Sequence, residues 1–383
     1  MSQTQTLVVT GCNCGLGLEC VKQILFDQWT QIYLTETLPS LLPSYHIVMA
    51  CRSAIKAQEA LSSISNVLSK HEKQLKKHSQ SRASSMVDVD SLHRHVSIIV
   101  LDLASITSIQ QFVHELSQKV KAHEIPPLYS LVCNAGLQLQ NDVKTVDGFE
   151  ATFGVNHLGH FLLINLMIPL FESNDNSVKR RIIIVSSDVH DPQAKTGMPT
   201  PHYQHPRKMA YPFDDYQDDK NASLELLKNP GHTGRVRYST SKLCNLLCGY
   251  ELERRLQNSM STSSSTQSKP AFTVNMFNPG FVPTTSLARD YHPALVFIAH
   301  HVLPLLSYVT SKIRTLHDSG SHLKRLVVDP SLEHVSGKYF DGDTLKESTM
   351  ESHDREKQRE LWEESIKLIL EKAKGTLDVS AFL

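Results

Sequence analysis

Short apolar, β-branched runs punctuate the chain at Leu7–Thr10, His46–Ala50, Ser97–Leu101, Ser130–Cys133, Arg181–Ser186 and Phe272–Phe277. Longer stretches with helical spacing lie between them, at Leu16–Phe26, Ile106–His123, Gly159–Phe171 and Ser239–Gln257. Short apolar strands alternating with helices predict an α/β fold: a doubly wound parallel sheet covered on both faces. At least six strands and no second motif set predict a single domain with insertions, spanning residues 1–345. Insertions are expected near 27–45, 62–95, 191–237 and 257–269, and a C-terminal helical extension over 346–383. The last insertion, QNSMSTSSSTQSK, is of low complexity.

Composition narrows the function classes. Lys plus Arg and Asp plus Glu balance at 39 each, so no nucleic-acid partner and no anionic membrane surface is indicated. Seven scattered cysteines, an odd number, fit reduced thiols in a cytosol-like compartment. Cys12 and Cys14 have no accompanying Cys/His set at zinc spacing, so no metal is expected. The N-terminus shows neither a signal nor a transit pattern, which predicts a cytoplasmic location or the periphery of an intracellular membrane. Residues 294–309 are apolar but interrupted by His300, His301, Pro304 and Ser307, too short for a spanning helix. That segment is left to cover an apolar substrate or to rest on a membrane surface. Homo-oligomerisation stays open.

Three Tyr/Lys pairs stand four residues apart: Tyr216/Lys220, Tyr238/Lys242 and Tyr308/Lys312. On a helix, such a pair shares one face, roughly 5–6 Å apart at Cβ. An ammonium there is expected to draw a phenol below its usual pKa of about 10, towards use as a proton donor.

Gly11-Cys12-Asn13-Cys14-Gly15-Leu16-Gly17 follows the first strand and opens a helix. Glycines permit the tight turn and let backbone N–H groups reach a pyrophosphate at a helix N-terminus. The spacing is G-x-x-x-G-x-G, distinct from the G-x-G-x-x-G of other dinucleotide folds. The second strand ends in Arg52, with Lys56 one turn on. Arginine at that point accommodates a 2′-phosphate, so NADP(H) is the expected cofactor.

Together these residues resemble the short-chain dehydrogenase/reductase family over nearly the whole chain outside the insertions. The resemblance rests on the Gly11/Gly15/Gly17 loop, Leu101-Asp102-Leu103, Asn134-Ala135-Gly136, Asn156 in VNHLGHF, Ser186-Ser187, Tyr238/Lys242 and Pro279-Gly280. It implies a Rossmann-like fold and a set of roles. Asn13 and Leu16 in the glycine loop, Leu103, and Ala135-Gly136 would bind the cofactor. Asp102 would contact the adenine, and Asn134 would support the central strand. Ser187 would hydrogen-bond the substrate oxygen and Tyr238 would donate the proton. Lys242 would bind the nicotinamide ribose and lower the tyrosine pKa, with Asn156 positioning a water behind it. Pro279, Gly280 and Thr284 would line the nicotinamide end. The order of motifs also chooses among the three pairs. Tyr216 sits among Asp214, Asp215, Asp218 and Asp219, and Tyr308 lies beyond Pro279-Gly280, which leaves Tyr238. His157, His160, Cys244 and Cys248 are expected to be structural, and His190 is a candidate for the cleft wall.

Finer features are similar to the branch holding retinol-dehydrogenase-like enzymes and light-dependent protochlorophyllide reductases. They include Met49-Ala50-Cys51-Arg52, Asp147-Gly148-Phe149-Glu150 and Ser241-Lys242-Leu243-Cys244-Asn245. The Pro-Gly-Cys of the second group reads Pro279-Gly280-Phe281 here. The expected function is hydride transfer between NADP(H) and a small apolar carbonyl or alcohol, such as a retinoid, steroid or long-chain aldehyde. The alternatives are protochlorophyllide-like C=C reduction and a non-catalytic NADPH-binding scaffold.

Overall fold

The computed structural model describes residues 4–34, 44–78, 94–171, 179–212, 230–261, 271–283 and 313–383. Its strands are β1 (Gln5–Thr10), β2 (Tyr45–Cys51), β3 (Val96–Val100), β4 (Leu128–Cys133), β5 (Arg180–Val185), β6 (Phe272–Asn278), β7 (Lys338–Asp341) and β8 (Thr344–Lys346). They form one sheet in the order β3-β2-β1-β4-β5-β6-β7-β8, parallel except for the antiparallel β7–β8 pair.

Both faces of the sheet are covered, because successive side chains along each strand point to opposite sides. Val8, Val48, Leu131, Ile182 and Ile184 pack beneath α3 (Ile106–Lys121), α4 (Ala151–Leu170), α6 (Pro230–Ser261) and α8 (Arg355–Ala373). Leu7, Val9, Ile47, Met49, Val132 and Ile183 meet α1 (Gly15–Leu34), α2 (Ala54–His78) and α7 (Leu316–Val328). A short helix, α5 (Pro206–Ala210), lies after β5.

Several elements differ from expectation. The 27–45 stretch begins inside α1, which runs to Leu34. Residues 62–78 continue α2, whose Ala57, Leu61, Ile64 and Leu68 repeat at helical spacing on a buried stripe. α6 starts at Pro230, well before Ser239, and extends to Ser261. The sheet gains β7 and the reversed β8. Helix α4 starts at Ala151 and contains a π-turn over Gly154–Gly159, with i→i+5 hydrogen bonding. α4 is also long and apolar enough to cross a membrane, the one such helix among the described residues. Its Leu158, Phe161, Leu162, Leu163 and Met167 are buried in the protein's own core.

Candidate active site

The carboxyl ends of β1 to β7 open into a cavity of about 1310 Å³. Strand order reverses between β1 and β4, the position where a doubly wound sheet leaves a crevice for a ligand. Gly11, Asn13, Gly15 and Leu16 line it above β1, and Arg52, Asp102 and Leu103 above β2 and β3. Asn134, Ala135 and Gly136 follow from β4, Ser187 from β5, Tyr238 and Lys242 from α6, and Pro279 and Gly280 from β6. Gly17 and Asn156 stand behind this wall, not in it. Thr284, the other two Tyr/Lys pairs and the 294–309 segment lie outside the described residues.

The glycine loop is shaped by backbone conformation and close approach. Gly11 and Gly15 adopt φ of 63° and 57°, the left-handed region that favours glycine. A Cβ on Gly11 would lie 2.8 Å from Ala135 Cβ, and one on Gly17 would lie 2.5 Å from Asn134 Nδ2. Gly17 therefore lets α1 settle onto Asn134, whose amide donates to Thr10 O at 2.9 Å. α1 opens at Gly15 on this cavity, so its first N–H groups and its dipole suit a phosphate. Arg52 and Lys56 add exposed positive charge on the β2 side. These features fit a dinucleotide.

Behind the loop, Thr10 Oγ1 accepts the backbone N–H of Asn134 and of Ala135, both at 2.9 Å. His160 Nε2 lies 3.0 Å from the same oxygen, and His160 Nδ1 lies 3.3 Å from Asn156 O. A neutral imidazole donating from Nδ1 and accepting at Nε2 satisfies every partner. Asn156 carries its own load. Its Oδ1 accepts from Leu137 N at 2.8 Å, and its Nδ2 donates to Leu137 O and Ser241 Oγ. The carboxamide thus fixes the loop after β4 at Leu137.

Tyr238 and Lys242 share one face of α6, with the Lys242 ammonium 5.5 Å from the Tyr238 ring centre. Lys242 Nζ donates to Val185 O at 3.2 Å, and Asn245 Nδ2 donates to the same carbonyl at 3.1 Å. Ser186 Oγ donates to Lys242 O at 2.8 Å, tying α6 to the end of β5. The expected depression of the phenol is not present. Burial pushes the Tyr238 hydroxyl above its ordinary range, and the Asp188 carboxylate pushes it further. Burial also pushes Lys242 down to about 8. Burial shifts both groups towards their neutral forms, so desolvation outweighs the attraction that spacing alone suggests, although a lysine at about 8 still carries its proton near pH 7.

Two charged neighbours were not anticipated. Asp188 accepts from Ser187 Oγ at 3.1 Å and lines the cavity beside Tyr238. Its place directly after Ser187 was the available signal. Arg314 packs over Gly280 and pairs with Asp341 at 2.8 Å, with no sequence signal to place it there. Conversely, His190 is not in the cleft wall. It is 2 % exposed, with Nδ1 against Ser187 O and Nε2 accepting from Thr349 N at 3.3 Å. Cys244 and Cys248 are buried packing thiols, and all seven cysteines are free.

His157 sits between Phe153 and Phe161, with Nε2 2.9 Å from Ser365 Oγ. Burial pushes His157 down to about 3 and His160 to about 4. Both values lie below the ordinary 6.5, so the native state binds fewer protons than the unfolded chain once pH drops below 6.5. The stability is complete above that pH and is lost as pH falls towards the folded values, by about 1.4 kcal/mol per pH unit per histidine. Urea unfolding at a series of pH values should show His157→Phe losing less stability on acidification than the parent. Equal slopes would contradict the assignment.

Comparison with known proteins gives a consistent set of relatives. A family model described as short chain dehydrogenase matches residues 67–198, and one described as AcuH dehydrogenase domain matches 288–374. Human retinol dehydrogenase 14 is 30% identical over 364 residues, covering 94% of this chain and 84% of that protein. Chloroplastic protochlorophyllide reductase A from Arabidopsis thaliana is 29% identical over 373 residues, covering 95% of this chain and 76% of that protein. NADPH-bound carbonyl reductase from chicken fatty liver aligns with a TM-score of 0.51 at 16% identity, covering 89% of this chain and 97% of its own. Salutaridine reductase from Papaver somniferum aligns at 0.52 and 18% identity, covering 88% of this chain and 99% of its own. These structural likenesses show the fold.

Proposed function

Because the chain belongs to the short-chain dehydrogenase/reductase family of oxidoreductases, we propose that it uses NADP(H) to interconvert a carbonyl and an alcohol on an apolar substrate. The observation that carries this reading is the meeting of Tyr238, Lys242 and Ser187 at one end of the cavity whose other end holds the glycine loop and Arg52. A bound nicotinamide supplies or accepts the hydride.

The chain's own groups handle the proton. Tyr238 is kept protonated by its buried setting, so its hydroxyl is available to the substrate oxygen as charge builds there. Lys242, fixed by Val185 O, stands on the same helical face for the ribose side. Gly11, Asn13, Gly15, Leu16 and Asn134 to Gly136 would seat the pyrophosphate and ribose, with Leu103 and Asp102 at the adenine. Pro279 and Gly280 would close the nicotinamide end. Gly280 adopts φ of 77°, which turns the chain back over β6.

An apolar substrate is supported by the cavity mouth, where Val143, Val146 and Phe281 are exposed by 42, 78 and 51 %. Retinaldehyde, ketosteroids and long-chain aldehydes should therefore be compared, with NADPH consumption as the readout. The plant relatives favour a second reading, reduction of protochlorophyllide. Phe281 has neither proton nor thiolate to offer in that chemistry. Conversion of protochlorophyllide in light, with no consumption of NADPH on any carbonyl, would replace the first reading with the second. Failure of both would favour the non-catalytic scaffold.

Cofactor choice rests on Arg52. Arg52→Asp should lower the preference for NADPH over NADH by about tenfold to a hundredfold, the worth of a hydrogen bond to a charged group. An unchanged ratio of the two kcat/KM values would refute the assignment.

A further inference from the structure

Two thiols lie beneath the glycine loop and take no part in the proposed reaction. Thr10 and Ala50 are register partners at the ends of β1 and β2, and Gly11 N donates to Ala50 O at 2.9 Å. Cys12 and Cys51 stand just beyond this pairing. Their Sγ atoms are 3.8 Å apart, and Cys12 Sγ donates to Val9 O at 3.1 Å. Both side chains are buried. Each is nevertheless flanked by residues of the cavity wall, Gly11 and Asn13 around Cys12 and Ala50 and Arg52 around Cys51.

We infer that Cys12 and Cys51 form a redox-sensitive dithiol, which hydrogen peroxide converts to a disulfide that reshapes the loop and weakens NADP(H) binding. The last consequence rests on the proposed seating of NADP(H) in this loop. Cys51 reacts first. Its thiol is held below the ordinary range by the Cys12 hydrogen bond, and the backbone N–H groups of Cys12 and Asn13 act in the same direction, against burial. Burial pushes the Cys12 thiol well above that range, so Cys12 keeps its proton. The Cys51 thiolate attacks one peroxide oxygen, the O–O bond breaks, and the departing oxygen leaves as water with the proton Cys51 gave up. Cys12 sulfur then attacks the sulfenic sulfur of Cys51, the S–O bond breaks, and hydroxide departs as water with the Cys12 proton. Two thiols and one peroxide give one disulfide and two waters.

Closing the bond brings the sulfurs from 3.8 Å to about 2 Å. Cys12 must then give up Val9 O. The backbone around it has little slack. A Cβ on Gly17 would lie 3.0 Å from Cys12 Cα, and the close approach of Gly11 to Ala135 blocks the other side. Movement of Cys12 towards β2 is therefore passed on to Asn13 and Gly15, which line the cavity where α1 opens and a pyrophosphate would sit. Peroxide, little larger than water, reaches the pair from that side.

Trypsin cleavage after Lys22 and Arg52 leaves Cys12 in peptide 1–22 and Cys51 in peptide 23–52. After the full chain is treated with hydrogen peroxide, mass spectrometry should find these two peptides cross-linked. Cys12→Ala and Cys51→Ala should each remove the cross-link. Cys14→Ser should keep it, which separates Cys12 from its exposed neighbour on the same peptide. With the oxidant removed, NADPH titration by fluorescence should show affinity lowered by about tenfold or more, the worth of one hydrogen bond to a charged group. Dithiothreitol should restore the parent affinity, and peroxide should leave the affinity of the two alanine variants unchanged. Absence of the cross-link in the parent, its survival in Cys12→Ala, or a cross-link that leaves NADPH affinity as it was would each overturn the inference. Reduced protein that fails to bind NADPH would count instead against the cofactor reading, and the cross-link would still decide the dithiol.

Discussion

Replacing Tyr238 with phenylalanine is expected to cut turnover about a hundredfold to ten-thousandfold while NADPH continues to bind. That range is the usual contribution of one positioned acid or base. The substitution removes one oxygen and keeps the ring. Tyr238 is 7 % exposed, and its backbone carbonyl accepts from Ser241 Oγ at 2.7 Å, a bond the variant retains. Lys242 would keep its own bond to Val185 O. Cofactor titration by fluorescence, alongside steady-state rates, separates loss of chemistry from loss of binding. Normal turnover in the variant would sink the proposed mechanism. A parallel loss of NADPH affinity would move the tyrosine's role from the proton to the cofactor.

The second large effect lies far from the cavity. Trp362→Ala should destabilise the protein by about 3–5 kcal/mol, the range for truncating a buried large aromatic. Trp362 is 1 % exposed and meets Phe161 edge-on with ring centres 4.7 Å apart. The Arg255 guanidinium covers it at 4.8 Å. Its Nε1 has no hydrogen-bond partner, so the loss would be one of packing and cation–π contact. α8 would thereby be shown to hold α4 and α6 together, since Phe161 and Arg255 belong to those helices. Urea unfolding gives the number directly. A loss below about 1 kcal/mol, the size of an ordinary surface change, would mean that the site collapses around the missing ring.

How much could be read from sequence follows the same physical divide. The six long strands were visible because both parities of each run are apolar, a pattern that only two-sided burial requires. β7, with Lys338 at one end and Asp341 at the other, and β8, wholly exposed, carry no such pattern. α2 hid in plain composition. Its serines and lysines read as an insertion, although Ala57, Leu61, Ile64 and Leu68 held the helical repeat. The site residues were legible as spaced motifs, each at the end of an element. Their couplings were not. His160 reaches Thr10 across 150 positions, and Asn156 reaches Ser241 across 85. Spacing placed Lys242 beside Tyr238, but the phenol's raised pKa depends on burial and on Asp188, which only the folded wall reveals.

The π-turn over Gly154–Gly159 bears on how this chain tolerates changes in length. An i→i+5 turn holds one residue more than an i→i+4 turn spanning the same arc. The surplus is accommodated within one turn, between Phe153 and His160, and Leu162, Leu163 and Met167 beyond it remain seated in the core. A one-residue deletion there can be absorbed by ordinary α winding, with the packed ends of the helix left in place. The position that would be displaced is Asn156, with its three bonds to Leu137 and Ser241. At this point the helix separates two kinds of constraint: its ends answer to folding, and its surplus residue answers to the cavity.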